Sequence, residues 1–396
     1  MRIGMLVDIY KPHISGVTNY VVFNKRVLEQ AGHEVFVFTF GGLDYDDDES
    51  NIIRSPRLPL VVKGHNFNIR YSQTARKLVQ TMDVVHVHHP FFSGPLALLY
   101  CKPKNIPIVF TNHTRYDLYV RAYVPYLAGI ATLFAMRIFL PIYARQIDLV
   151  ISPSAGMRDV LVKDGVKASI DVVPNGINLE PFQQKVKPIE RAKLGFMEQD
   201  VLLIFVGRLG PEKNIAFLLR AFADLLKEYR DAGLVLVGEG PEHKDFESLA
   251  EELGIADRVH FTGQVPYPDI PGYLSAADAF VTASVSEVHP FTIIEAMAAG
   301  LPVLGINSPG VGDTVQDGHN GYLAPYQDQA DFTARMLDLV KDHEQRRKLG
   351  EIARVDAELY SIERTNQMMI ERYQKVIESA KNRKMARPQF SPADKE

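Results

Sequence analysis

The feature that most constrains this chain is an alternation of short, wholly apolar runs, each one strand long, with stretches of helical spacing. Arg2–Val7 opens it, a helical stretch over Asn19–Glu29 follows, and Glu34–Phe40 comes next after the Ala31-Gly32-His33 turn. Further strand-length runs stand at Val84–Val87, Ile108–Thr111, Leu149–Ile151 and Ile170–Val173, with helical spacing over Tyr71–Thr81 and Tyr126–Gln146. A strand apolar on both faces must be covered on both, and a strand reached through a helix runs parallel to its predecessor. The alternation therefore predicts a parallel sheet with helices on both sides.

After Pro174-Asn175-Gly176 the pattern restarts. A polar, proline-containing stretch over Glu180–Lys193 leads into Val201–Val206, then a helix over Ile215–Glu228, a strand at Leu234–Val237 and a helix over His243–Leu253. Strands are expected at Val259–Phe261, Ala279–Thr282 and Pro302–Gly305. With 396 residues there is enough chain for two cores. The expected fold class is α/β, with two doubly wound parallel-sheet (Rossmann-like) domains facing across a deep cleft. We place the first domain over 1–178, a linker over 179–195 and the second domain over 196–362. A C-terminal helix over 363–380 is expected to pack back toward the first domain, and the polar tail 381–396, with Pro388 and Pro392, to be disordered. Ligands in such sheets bind beyond the C-terminal strand ends, which directs attention to the cleft.

Composition narrows the function classes. Hydrophobic residues at 46% and charged residues at 23% are the balance of a soluble globular protein. One cysteine, Cys101, excludes an internal disulfide framework and fits a reducing compartment. The opening residues read as a strand rather than a secretory leader, so a cytoplasmic location is expected. Residues 1–180 hold 19 Lys+Arg against 15 Asp+Glu (+4), and the remainder 25 against 33 (−8), which together make the net −4. That excess is too small for a nucleic-acid reader but suits phosphates or anionic lipid. The oligomeric state is not fixed by any of this. Asp44–Glu49, with five acids in six positions, reads as a solvated loop.

Chemistry concentrates in two segments of the second half. In Ser286-Glu287-Val288-His289-Pro290-Phe291-Thr292-Ile293-Ile294-Glu295-Ala296-Met297-Ala298-Ala299-Gly300, Pro290 suits the first helical position and Gly300 the C-cap. The helix they bound would aim free N–H groups and its positive dipole end at an anion such as a diphosphate. Glu287 stands at the mouth, where it is suited to sugar hydroxyls, and Glu295 over one turn in, where it is suited to a ribose. Two acids at this spacing are ordinarily solvated surface; the serine-rich loop and the otherwise apolar helix set these apart. In Phe205-Val206-Gly207-Arg208-Leu209-Gly210-Pro211-Glu212-Lys213-Asn214, Arg208 and Lys213 stand at the ligand edge of the second sheet. They are suited to neutralising a departing diphosphate, although the bland reading is an ordinary surface loop.

These two segments, with Asp83-Val84-Val85-His86-Val87-His88, Ile151-Ser152-Pro153-Ser154, Val173-Pro174-Asn175-Gly176-Ile177, Val237-Gly238-Glu239-Gly240-Pro241 and Phe261-Thr262-Gly263, resemble the family-4 retaining glycosyltransferases of the GT-B fold over nearly the whole chain. The resemblance implies that Arg208 and Lys213 bind the donor diphosphate, Glu295 the ribose and Glu287 the donor sugar. Phe291 and Thr292 at the helix start join the donor site, and Gly16 lets its backbone approach the phosphate. It also implies that His113, in Phe110-Thr111-Asn112-His113-Thr114-Arg115-Tyr116, faces the donor sugar across the cleft. A lone histidine after a strand is otherwise a structural residue more often than not. The implied catalytic set is His113, Arg208, Lys213 and Glu287, acting on a nucleotide-sugar donor, a UDP-sugar foremost, with no cofactor required. Two departures stand out: Pro290 replaces the usual glycine and offers no N–H to a phosphate, and Ser15 precedes Gly16 where paired glycines are common.

Other histidines and glycines carry less. His86 and His88 share a strand face, and with His89 they suggest a metal, but no Cys or carboxylate cluster accompanies them, so lining or packing is expected and no metal. Gly238-Glu239-Gly240 is not a dinucleotide fingerprint, since His243 stands where the third glycine belongs.

On the acceptor side, Asp8–Val17 and His113–Tyr119 look like the corresponding segments of diacylglycerol glucosyltransferases and related lipid glycosyltransferases, with Tyr10, His88 and Tyr116 as acceptor-side candidates. Between Arg121 and Arg137 lie 15 uncharged residues, too few to span a bilayer and interrupted by Pro125 and Gly129. With Arg115, Arg121, Arg137 and Arg145 around it, this run either docks on an anionic leaflet or is buried against the first sheet. The function expected is transfer of a hexose, glucose from UDP-glucose foremost, to a lipid hydroxyl. Rival readings are the same chemistry on a soluble sugar, cyclitol or polysaccharide acceptor, a sugar epimerase of the same fold, and a catalytically idle nucleotide-sugar-binding protein.

Overall fold

The computed structural model describes residues 1–13, 15–56, 61–62, 65–66, 70–123, 126–184 and 186–385. In chain order the first half runs β1 (Arg2–Leu6), α1 (Gly16–Gln30), β2 (Glu34–Phe40), β3 (Ile52–Ser55), the short antiparallel pair β4 (Val61–Val62) and β5 (His65–Asn66), α2 (Gln73–Val79), β6 (Val84–Val87), α3 (Ser93–Tyr100), β7 (Ile108–Thr111), α4 (Tyr116–Tyr123), α5 (Tyr126–Ala144), β8 (Leu149–Ser152), α6 (Ala155–Lys163) and β9 (Ile170–Val172). The second half runs α7 (Glu180–Gln183), β10 (Val201–Val206), α8 (Ile215–Glu228), β11 (Ala232–Val237), α9 (His243–Glu252), β12 (Val259–Gly263), α10 (Ile270–Ala276), β13 (Ala279–Val281), α11 (Phe291–Ala298), β14 (Val303–Ile306), α12 (Val311–Thr314), β15 (Gly321–Ala324), α13 (Gln329–Lys341), α14 (His343–Asp356) and α15 (Ile362–Met385).

Among the described residues these strands form two large parallel sheets, ordered β3-β2-β1-β6-β7-β8-β9 and β12-β11-β10-β13-β14-β15. The apolar runs explain the parallel pairing: every residue of β10, β11 and β6 is buried, so each strand needs a helix layer on both faces. The outer strands β3 and β15 have no counterpart in the sequence expectation. Their residues are mixed, with Arg54 in one and Gly321 in the other, and pairing to β2 and β14 rather than apolar content recruits them. In each sheet the chain reverses its direction of growth beside the first strand, between β1 and β6 and between β10 and β13. The loops diverge at these points and leave a crevice at the C-terminal strand ends.

Several segments depart from the simpler reading. The stretch expected as a linker is packed: Leu179, Phe182 and Leu194 are buried in one apolar cluster with Ile293 and Met297 of α11. The acidic run is not simply solvated. Lys11 Nζ pairs with Asp48 at 2.7 Å and Glu49 at 2.8 Å, Arg54 with Asp47 at 2.7 Å, and the Tyr10 hydroxyl donates to Glu49. Cations from elsewhere in the chain offset the like charges and tie the run to the loop after β1. The last helix extends to Met385, so 381–385 of the expected tail are helical, and 386–396 lie outside the described residues.

α15 packs on α1 and β6, with Met369, Tyr373 and Val376 buried among Ile3, Met5 and Tyr20. Two segments therefore pass between the halves, and they lie side by side. The Ile177 N–H donates to the Tyr360 carbonyl at 3.0 Å and the Ile362 N–H to the Ile177 carbonyl at 2.9 Å. Gly176 permits the approach, because a methyl group there would meet Thr365 Oγ1 at 2.0 Å and the Ile362 Cα at 2.8 Å. Gly176→Ala should destabilise the protein by about 1–3 kcal/mol, the cost of overpacking a filled site. Urea unfolding followed by circular dichroism measures it, and parental stability would show that the crossing is not tight.

Candidate active site in the interdomain cleft

The crevices of the two sheets face each other across a cavity of about 460 Å³, within the roughly 300–1,000 Å³ usual for small-molecule sites. Ser15, Gly16, His113, Thr114 and Arg115 line it from the first half, and Gly207, Arg208, Lys213, Glu287, Phe291 and Thr292 from the second. Loops at four strand ends, with the helix starts they lead into, supply these residues: the loops after β1 and β7 in the first half, and the loop after β10 and the loop joining β13 to α11 in the second.

The last two loops are laced together. Lys213 Nζ lies 2.5 Å from Glu287 Oε1, and Ser284 Oγ donates to the same oxygen at 2.7 Å. Ser286 Oγ donates to the Glu212 carbonyl at 3.1 Å, and Asn214 Nδ2 to the Ala283 carbonyl at 3.3 Å. Burial works to raise the pKa of Glu287, but the Lys213 charge and the Lys213 and Ser284 hydrogen bonds outweigh it and hold the carboxyl below its usual range. Gly238-Glu239-Gly240 now has a task. A Cβ at Gly238 would sit 1.9 Å from the Gly207 carbonyl oxygen and one at Gly240 2.1 Å from that of Leu209, so only glycines let the Arg208 loop lie this close.

Pro290 stands one position earlier than expected. Its ψ of 119° is extended, so it is the N-cap of α11 rather than its first helical residue, and its carbonyl accepts from the Ile294 N–H. The missing N–H of proline therefore falls outside the helix. The first-turn N–H groups belong to Phe291, Thr292 and Ile293, all of which line the cavity. At the other end Gly300 adopts φ +86°, with Gly300 N–H donating to the Met297 carbonyl and Leu301 N–H to that of Ala296, a Schellman stop.

Glu295 lies behind the cavity wall and is 4% exposed. Burial pushes its pKa up to about 7, only partly offset by the Tyr267 hydroxyl, which donates to Oε1 at 3.0 Å. The Tyr267 ring in turn lies 5.7 Å from that of Phe23 on α1, across the cleft. Arg208 stands over the ring of Tyr123, 5.4 Å from its centroid, while the Tyr123 hydroxyl donates to Glu212 at 2.5 Å.

His113 is half-buried, with its Nε2 3.0 Å from His88 Nδ1 and its ring against Tyr20. Burial depresses both histidines well below their usual pKa, so both are neutral and one donates to the other. His88 Nε2 has no hydrogen-bond partner among the described residues. A buried lone pair is tolerated better than a buried N–H, which puts the shared proton on His88 Nδ1 and leaves the proton of His113 on Nδ1.

The three acceptor-side candidates do not line this cavity. Tyr10 is buried and bonded to Glu49, His88 is buried behind His113, and Tyr116 faces a small apolar pocket with Phe91, Leu133 and Met136. Each has sequence neighbours at the cleft, but the pleat and the loop path turn its side chain into the first half. His86 is likewise committed, bonded at 2.6 Å to both the Tyr373 hydroxyl and Thr111 Oγ1, and His89 Nδ1 accepts from the Asp8 N–H. Among the described residues no three His, Cys, Asp or Glu side chains are arranged to hold a metal ion. Sequence spacing does not single out Tyr267 and Tyr123, whose partners Glu295 and Glu212 lie 28 and 89 residues away, or Ser284, which reads as an ordinary loop serine.

Two cations, a helix N-terminus and an ionised carboxylate converging on one cavity make an anion site with a polar flank. Sequence comparisons agree on the class of protein. Residues 14–181 match the family model described as Glycosyltransferase Family 4, and residues 186–356 that of Glycosyl transferases group 1. The chain is 34% identical over 371 residues to the alpha-monoglucosyldiacylglycerol synthase of Streptococcus pneumoniae (strain ATCC BAA-255 / R6), covering 89% of this chain and 82% of that protein. It is 32% identical over 343 residues to the synthase of the same name from Acholeplasma laidlawii, covering 81% and 84%. Among solved structures, a sucrose-phosphate synthase from Thermosynechococcus elongatus superposes with a TM-score of 0.77 at 22% identity, covering 96% of this chain and 99% of that one. Anabaena HepE in complex with UDP-glucose superposes with 0.75 at 18%, covering 95% and 100%; at these identities the likeness is one of fold. The chain therefore belongs to the group 1, family 4 glycosyltransferases, built on the two-domain GT-B fold.

Proposed function

We propose that this enzyme moves glucose from UDP-glucose, with retention of configuration, to a hydroxyl of a membrane lipid, diacylglycerol or a glycosyl-diacylglycerol, working at a membrane surface. The observation that carries the acceptor is the identity above 30% with two proteins named alpha-monoglucosyldiacylglycerol synthase over more than four-fifths of each. An α-glucosyl product from an α-linked nucleotide donor is retention. UDP-glucose is the donor bound by a protein of the same fold.

The site residues then divide the work. Arg208, Lys213 and the first-turn N–H groups of α11 hold the diphosphate, with Gly16 letting the facing backbone approach. Glu295 accepts from the ribose hydroxyls and Glu287 from the glucose. The neutral His113 donates to a glucose hydroxyl from the opposite wall. As the anomeric C–O bond breaks, negative charge gathers on the departing diphosphate, where Arg208 and Lys213 neutralise it. The acceptor hydroxyl enters from the same face, forms the new C–O bond and gives its proton to the departing phosphate oxygen. No side chain is then needed as general base.

Lys213→Ala should lower turnover by about 10²-fold or more through lost stabilisation of the leaving group. Release of UDP from UDP-glucose, with and without lipid acceptor, measures this, and near-normal turnover would remove Lys213 from its role. The acceptor is tested by offering diacylglycerol, glucosyl-diacylglycerol and soluble sugars or cyclitols together and determining the anomer formed. Transfer to the soluble acceptors alone would overturn the lipid reading, and a β-product would overturn retention.

Glu295 supplies a pH signature. Burial pushes its carboxyl up to about 7, and a ribose donates to the ionised form, so donor binding should release a proton and tighten as pH rises. Between pH 6 and pH 8 the affinity for UDP-glucose should rise by roughly tenfold, and Glu295→Gln should flatten the profile. Calorimetric titration over that range decides it; an unchanged profile in the variant would assign the proton elsewhere.

A further inference from the structure

We propose that His88 is a positioning residue for the transfer: from behind the cavity wall it donates to His113 and fixes which nitrogen of His113 carries the proton offered to the donor sugar. His86 and Tyr373, on the returning helix α15, hold His88 in place. The proposal rests on the reading of His113 as a ligand of the sugar and names what sets its proton.

His88 stands one residue past β6 and is wholly buried. Its backbone N–H donates to the Leu6 carbonyl at 3.0 Å, which pins it to the end of β1. Its Nδ1 lies 3.0 Å from His113 Nε2, and the two rings stack with centroids 5.3 Å apart. Tyr20 of α1 packs on both, its centroid 5.5 Å from that of His88 and 4.7 Å from that of His113. Of the pair, His113 alone lines the cavity.

The direction of the shared hydrogen bond follows from what surrounds His88. Burial depresses the pKa of both rings, so each carries one proton. If His113 donated, His88 would hold its own proton on Nε2, which is buried and has no hydrogen-bond partner among the described residues. If His88 donates from Nδ1, the sealed atom is a lone pair, the milder loss. His113 Nε2 is then an acceptor and its proton is confined to Nδ1, free for a ligand in the cavity. Without His88, a neutral His113 holds its proton on either nitrogen, and part of the population meets a sugar hydroxyl with a lone pair instead of a donor.

The ring of His88 is itself held. The His86 centroid lies 4.2 Å from it. His86 has both nitrogens engaged at 2.6 Å, one with the Tyr373 hydroxyl and one with Thr111 Oγ1, so it cannot turn without breaking a buried hydrogen bond. Tyr373 is wholly buried on α15. The helix that returns from the second half thus reaches the cavity wall through two stacked rings.

Nitrogen-15 spectra of the full chain, labelled at histidine and recorded without substrate, locate the proton; His113→Gln assigns the signals. In the parent His113 Nδ1 should be protonated and Nε2 a hydrogen-bonded acceptor. His88→Ala should lose that single form, and His88→Asn, whose amide nitrogen falls near the place of Nδ1, should keep it. For UDP release from UDP-glucose, His88→Ala should lower kcat by about ten- to hundredfold with KM little changed. His88→Asn should recover most of the loss, and Tyr373→Phe should lose less than His88→Ala. Thermal stabilisation by UDP, which lacks the sugar, should be parental in all three, showing that the fold and nucleotide site survive. A parent proton on His113 Nε2, parental kcat in His88→Ala, or an asparagine variant as slow as the alanine one would overturn the proposal. Parental kcat in Tyr373→Phe would overturn the share given to α15. Because the proton is located without donor or acceptor, a parent that carries it on Nδ1 yet transfers to soluble acceptors alone overturns the lipid reading and still supports the pair.

Discussion

The ion pair between Lys213 and Glu287 is the contact on which the site depends. It joins the loop after β10 to the loop after β13, so the cation and the acid reach the cavity in a fixed relation before any ligand arrives. Both side chains are largely withdrawn from water, at 21% and 18% exposure, so removing either leaves the other charge poorly compensated. Ser284 and the glycines of β11's outgoing loop exist around this pair, one bonding Glu287 and the others letting the Arg208 loop settle against its neighbour. A preorganised arrangement of this kind reorganises little when charge develops on a leaving group.

The same loop also couples the halves. Val288 packs into the first half's apolar cluster, Phe291 against another, and the His289 carbonyl accepts from Asn175 Nδ2 at 2.9 Å. Away from it, the Gly156 N–H donates to both Asp313 carboxylate oxygens at 3.0 Å, and Tyr123 reaches Glu212. With α15 returning to α1, the cleft is held at its floor and at both sides.

Two acids on one loop-and-helix segment thus acquire opposite characters. Glu287 is held ionised by Lys213, whereas Glu295, buried with only a tyrosine hydroxyl for a partner, has its pKa pushed up to about 7. Their spacing alone suggests an acid–base pair; their surroundings make them two different hydrogen-bond acceptors. The histidines show the same logic. His86, His88 and His89 suggest metal ligands in the sequence, yet burial depresses all three below their usual pKa and their hydrogen-bonded nitrogens face Tyr373 and Thr111, His113, and the Asp8 N–H.

The parallel-sheet plan is legible in the chain alone, because strands such as Val201–Val206 are apolar throughout and admit no exposed face. The order of the loops that carry Arg208, Lys213 and Glu287, and of the helix that carries Glu295, is legible there too, since these follow buried strands. Which residues meet follows from contacts made after folding. Pro290's place outside the helix is a matter of one backbone angle, and the cover of Tyr267 over Glu295 joins segments 28 residues apart. The turning of Tyr10, His88 and Tyr116 away from the cavity depends on loop path, and the exposure of Ile130, Phe134, Ile138 and Ile142 on what else packs against α5. Periodicity records which residues seek cover, but the cover itself comes from contacts distant in the chain.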